Sequence, residues 1–108
     1  MYTVSFEEPI KQIFREIGFP VYKSGYRKLC AAVPVFALDP EQSLHKELYS
    51  RLAKDFCCSP ASVEASIRRV IQWTWEHGNR DAWQKYFPGI TKAPTNQVFI
   101  ATIAECLM

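Results

Sequence analysis

The run Ser59-Pro60-Ala61-Ser62-Val63-Glu64-Ala65-Ser66-Ile67-Arg68-Arg69-Val70-Ile71-Gln72 crowds hydroxyls, a carboxylate, two guanidinium groups and an amide into a short stretch. These side chains suit edge-on recognition of bases. Arginine can donate to both acceptors of guanine, glutamate can accept from the amino group of cytosine, and serine suits a base or a phosphate. They can act together only if one face of a helix presents them. Val63, Ile67, Val70 and Ile71, with Trp75 a turn on, recur at helical spacing and mark the face that must be buried. Removing that face leaves Ala65, Arg68, Arg69 and Gln72 outward, with Ala61, Ser62 and Glu64 at the front.

Such a helix needs a second one to seat it. Ser59 followed by Pro60 reads as a helix cap and a first-turn proline. Upstream, Leu44, Leu48, Leu52 and Phe56 repeat at four-residue steps, and that helix should stop near Phe56. Two helices joined by so short a turn form a helix-turn-helix. Ala53 supplies the small side chain required where the two helices approach. Cys57 stands where glycine is often found in this motif. A left-handed backbone there would cost a non-glycine residue on the order of 1 kcal/mol.

The spacing therefore predicts a recognition helix over about residues 60–77, its front half in the major groove. Ser62, Glu64, Ala65, Arg68 and Gln72 are the expected base-edge residues. Lys54, Ser59, Arg69 and Lys92 are the expected phosphate contacts, helped by the free amides at the helix start. The same geometry also occurs in plain helical bundles, and an arginine pair also suits a solvated face, so spacing alone leaves both open.

The remaining elements are helical too. Ser5 and Glu8 fit a capping box ahead of a stripe of Ile10, Ile13, Phe14 and Ile17, ended by Gly18 and Pro20. Tyr26, Leu29, Cys30, Val33 and Phe36 form the next stripe, and Pro34 inside it predicts a kink or a stop near Val33. Asp39-Pro40-Glu41-Gln42 reads as the start of the helix that carries Leu44. Gly78 should close the recognition helix. Asn79 should cap a short helix through Phe87 that carries Trp83. Residues 88–94 should form a loop, and Thr95 should cap a last helix with Val98, Phe99, Ile103, Ala104 and Leu107 inward. The expectation is an all-α chain, a single compact domain of about six helices over residues 1–108, with no strand signal, repeat or linker.

Composition agrees. Hydrophobic residues make up 48% of the 108 residues and charged residues 22%, which suits one modest core and not disorder. The net charge of +2 permits a nucleic-acid partner without demanding one. Cys30, Cys57, Cys58 and Cys106 show no C-x-x-C spacing and lie far from His45 and His77, so free thiols are expected and no metal or cofactor. No apolar run is long enough to span a bilayer, and Met1 to Ser5 lack the basic and apolar regions of a signal peptide, so a cytoplasmic address without membrane contact is expected. No carboxylate pair, activated nucleophile or glycine-rich loop accompanies the histidines, so no enzyme activity is expected.

The chain resembles the C-terminal DNA-binding effector domain of the stage-zero sporulation master response regulator, a sporulation initiation transcription factor family. The similarity spans roughly Ile10 to Leu107. It is carried by Ile17-Gly18-Phe19-Pro20, Gly25-Tyr26, Leu48-Tyr49, Leu52-Ala53-Lys54 with Phe56, Val63-Glu64, Ile67-Arg68, Trp75, Gly78-Asn79 with Asp81, Ala93-Pro94-Thr95-Asn96 and Phe99-Ile100-Ala101. The resemblance implies a six-helix domain that binds short tandem DNA boxes as paired copies and activates or represses transcription. It implies base reading by Glu64 and Arg68. The family carries a further arginine where this chain has Ala65, a loss worth roughly 1–3 kcal/mol of base discrimination. Arg69 stands where the family tends to histidine. The short helix from Asn79 implies a surface touching the polymerase sigma factor, with Ala82, Gln84 and Phe87 on it. In the family a phosphoacceptor receiver domain precedes the effector, and these 108 residues have no counterpart of it. Ala65 and the weak net charge also motivate a second reading, a protein-interaction module of the same fold that has lost DNA binding.

Overall fold

A computed structural model describes residues 7–107. The helices are α1 (Glu7–Ile17), α2 (Ser24–Leu38), α3, α4 (Pro60–His77), α5 (Arg80–Tyr86) and α6 (Asn96–Cys106). Helix α3 opens with a wide π turn, Leu44–Leu48, and continues as regular helix over Tyr49–Asp55. No strand occurs among the described residues. The Ser5 cap expected for α1 lies outside them.

The predicted stripes become the core. Ile10, Phe14 and Ile17 of α1, Leu29 and Val33 of α2, Leu48 and Leu52 of α3, and Ile67 and Ile71 of α4 are all buried. Phe14, Phe19, Trp83, Phe87 and Phe99 join them as a chain of tilted, stacked and edge-on rings with centroids 4.8–6.1 Å apart. Helix α2 lies against both α4 and α6. Its approach to α4 depends on Gly25: a Cβ there would strike the Ser66 carbonyl oxygen and lie 2.8 Å from Val70 Cβ. Gly78 does the same for the end of α1. A Cβ on it would strike the Ile17 carbonyl, the group that accepts the Asn79 N–H at 2.8 Å.

Of the two outcomes expected at Pro34, the stop near Val33 does not occur: α2 runs on to Leu38 with Pro34 inside it. An internal proline costs about 3 kcal/mol. Val33, Phe36 and Ala37 are buried on either side of it, and burial of that size offsets such a cost. The start of α3 is not Asp39-Pro40. Gln42 donates from Nε2 to the carbonyls of Val35 and Asp39, both at 2.9 Å, which folds residues 39–42 into a turn against the end of α2. Ser43 is the cap, its Oγ accepting the Lys46 N–H at 3.2 Å, while its carbonyl accepts the Leu48 N–H at 3.0 Å across the π turn. In α6, Val98 points outward at 51% exposure, and Ile100 takes the buried position. Counting 100° per residue sets Val98 opposite the Phe99, Ile103 and Ala104 face.

Candidate nucleic-acid interface

The turn between α3 and α4 has a defined hydrogen-bond pattern. The Cys58 N–H donates to the Ala53 carbonyl at 3.0 Å and the Cys57 N–H to the Lys54 carbonyl at 3.4 Å. This is a Schellman motif, and it requires a left-handed residue at its centre. Cys57 is that residue, with φ of 53°, the one non-glycine at positive φ among the described residues. Ala53 is buried at the contact, as its size predicts. Ser59 then caps α4, its Oγ accepting the Ser62 N–H at 3.1 Å, and Pro60 occupies the first turn.

Helix α4 divides cleanly into two sides. Val63, Ile67, Val70, Ile71, Thr74 and Trp75 are buried. Ala61, Ser62, Arg68, Arg69, Gln72 and Glu76 are exposed, and Glu64, Ala65 and Ser66 are half-buried at the margins. Arg68 extends into solvent, its side chain 61% exposed, and its Nε holds Glu64 Oε1 at 3.0 Å. One turn on, Gln72 Nε2 donates to Glu76 Oε1 at 3.1 Å. The arginine predicted to read a base is thus neither buried nor covered, and Glu64 sets its direction along the helix.

Other elements fix where this face sits. Asn96, at the start of α6 and buried, donates from Nδ2 to the Glu64 carbonyl and to the Tyr49 hydroxyl, both at 3.1 Å. One amide therefore ties α6 and α3 to the front half of α4. Burial pushes the Tyr49 phenol above its ordinary range, so it remains protonated through neutral pH. Thr74 Oγ1 donates to the Val70 carbonyl at 2.7 Å, and Trp83 Nε1 donates to the Thr74 carbonyl at 3.3 Å, which braces the rear half. Sequence reasoning missed Asn96 as a brace. Its position just after a capping threonine looks like an ordinary helix start.

Two grooves flank α4. One lies between Glu64, Arg68 and Gln72 on one side and Ser43, His45 and the start of α6 on the other. The second lies between Ser66, Arg69 and Trp73 and the start of α2. The four expected phosphate residues, Lys54, Ser59, Arg69 and Lys92, are all exposed. Ser59 is occupied in part by its cap, and Lys92 leads into Ala93 and Pro94, which line the first groove. His45 and His77 are exposed, His77 stacking on Trp73 at 4.4 Å.

The expected sigma-facing surface of α5 is different. Ala82 and Phe87 are buried, because α5 is short and turns them, with Trp83, into the core. Gln84 is exposed, but it donates to the Ile90 carbonyl at 2.7 Å and accepts the Gly89 N–H at 3.0 Å, closing the loop that follows. The four cysteines are free thiols, Cys57 and Cys106 exposed and the other two half-buried. Among the described residues no cluster of three metal-ligating side chains occurs, and no helix is long and apolar enough to cross a membrane.

A six-helix chain whose longest helix seats its apolar side on a helix-turn-helix partner and turns arginines to solvent is an all-α helix-turn-helix domain. Residues 10–107 match the family described as "Sporulation initiation factor Spo0A C terminal". That match covers nearly the whole chain, and the chain belongs to this family, whose members are DNA-binding effector domains of a sporulation regulator and not an enzyme class.

Proposed function

We propose that the whole chain acts as a sequence-specific DNA-binding transcription regulator domain that places α4 in the major groove. The observation that carries this reading is the side chain of Arg68, solvent-facing and aligned by Glu64 in the outward half of a helix otherwise fixed on three sides. Arg68 and Glu64 read base edges, with Ser62, Ala65 and Gln72 beside them. Lys54, Ser59, Arg69 and Lys92 meet phosphates on either strand. Two copies sit on tandem boxes, and Gln84 is the α5 residue left to face a sigma factor. The work is done in the cytoplasm, with no cofactor and no catalysis.

The test is binding to duplexes selected from random-sequence DNA, measured across a salt series. Four to six neutralised phosphates correspond to a log–log slope of roughly −4 to −5. Arg68→Ala is expected to weaken binding to the selected duplex by about 1–3 kcal/mol while leaving the melting temperature unchanged. Binding that ignores both salt and this substitution overturns the reading. A second reading is a protein-interaction module of the same fold that does not bind DNA. Ala65, small where the family has an arginine, and the pairing of Arg68 with a carboxylate favour it. It predicts no shift with any duplex and a stable protein complex instead.

A further inference from the structure

We infer that the groove between α4 and the start of α2 seats a backbone phosphate of the bound duplex, with Lys23 and Arg69 as its cations. The inference rests on the DNA-reading function proposed above. It adds a contact from outside the helix-turn-helix pair, on a residue between α1 and α2 that no sequence pattern singled out.

The groove is lined by Lys23, Ser24 and Gly25 from one side and by Ser66, Arg69 and Trp73 from the other. Its two cations line one groove because Gly25 lets α2 approach the α4 backbone at Ser66. The Lys23 ammonium lies 5.4 Å from the centre of the Trp73 ring and 5.6 Å from that of Tyr22. An aromatic ring holds a cation in place without cancelling its charge, as a carboxylate would. Among the described residues neither Lys23 nor Arg69 has an ion-pair partner, although Lys11, Arg68 and Lys85 each do.

Position supplies the rest of the argument. At 100° per residue, Arg69 falls between the outward face of Ala65 and Gln72 and the flank of Ser66 and Trp73. The groove thus borders the side that faces the bases, where one strand's backbone runs past a helix in the major groove. Lys28, one turn along α2 from Ser24, extends the same flank toward the helix-turn-helix turn. Its side chain is largely buried, has no ion-pair partner among the described residues, and holds its ammonium 5.6 Å from the ring of Phe56 at the end of α3. Two uncancelled cations with two serine hydroxyls, Ser24 and Ser66, suit a singly charged phosphodiester, which offers acceptors and no donor.

The experiment measures the salt dependence of binding to two probes, a duplex selected from random-sequence DNA and a scrambled duplex of the same composition. Lys23→Gln is expected to reduce the steepness of the log–log salt slope by about one on both probes and to leave the preference between them unchanged. Lys23→Arg keeps the charge and should retain the parental slope, which separates a charge effect from a folding defect. Lys11→Gln, a cation of α1 already paired with Glu7, should change neither slope nor preference. A parental slope in Lys23→Gln, with the parent itself binding, removes the phosphate seat and leaves the DNA reading standing. A parent that binds neither probe removes the DNA reading and the seat with it.

Discussion

Helices α4 and α5 begin alike and serve opposite ends. Each has a side-chain cap, Ser59 for one and Asn79 for the other, and each sends apolar residues into the same core. Their polar sides differ. On α5, Arg80 donates from Nε to the Trp75 carbonyl at 3.0 Å and lies 4.0 Å over the Trp75 ring. Gln84 closes the 89–90 turn, and Lys85 and Tyr86 both reach Glu16 of α1, at 3.0 and 2.9 Å. On α4, Arg69 binds nothing among the described residues, and Arg68 and Gln72 bind only neighbours one turn away along the helix. Bonds within one exposed helix face are weak and readily exchanged for a ligand. Arg80, Gln84, Lys85 and Tyr86 of α5 are thus bonded to other parts of the chain, whereas the outward side chains of α4 bond along their own helix or not at all.

Substitutions that act on the brace should therefore lower stability, and those on the open face should change only binding. The largest effect is expected at Trp83, which is fully buried among Phe19, Trp75, Phe87 and Phe99. Trp83→Ala should cost about 3–5 kcal/mol in urea unfolding. A small loss there would erase the distinction between the two helices. Asn96→Ala removes the link between α6, α3 and α4 and should cost about 1–2 kcal/mol by the same measurement. It should also blur base preference, because the front of α4 loses its tether. Cys57→Gly relieves the left-handed backbone and should raise stability by roughly 0.5–1 kcal/mol with no change in duplex affinity.

The smallest effect concerns Glu16. Hydrogen bonds from Lys85 and then from Tyr86 hold its carboxyl below the usual range. A lowered carboxyl pKa contributes stability above the unfolded value and loses it as the pH falls through the folded one. The melting temperatures of the parent and of Glu16→Gln should differ slightly near neutral pH and converge in acid below the ordinary carboxylate range. A gap that persists there would mean that α5 is held by something other than this ion pair.

Signals confined to a few neighbouring residues were legible. Ser59-Pro60, Asn79 and Thr95 each cap the helix they were expected to cap, and the left-handed strain falls on Cys57. The buried side of α4 followed from periodicity alone. What stayed hidden depends on partners far along the chain. Asp39-Pro40 has the form of a helix start, yet Gln42 reaches back to Val35 and makes it a turn. Asn96 is a brace only because Tyr49 and Glu64 lie beneath it. Resemblance alone puts Ala82 and Phe87 on a surface, while the core takes them in. The groove at Lys23 depends on a helix crossing, which no local pattern encodes.

The bond from Asn79 to the Ile17 carbonyl has a consequence for how the chain comes together on the ribosome. The end of the first helix finds its donor only when the fifth is about to begin, and the bare backbone of Gly78 forms the surface on which it rests. A nascent chain that has emerged only through α4 already contains the whole recognition helix but leaves the end of α1 without its counterpart. Assembly is thus expected to await the late segment, so that a shortened product holding the reading helix would lack the frame that aims it.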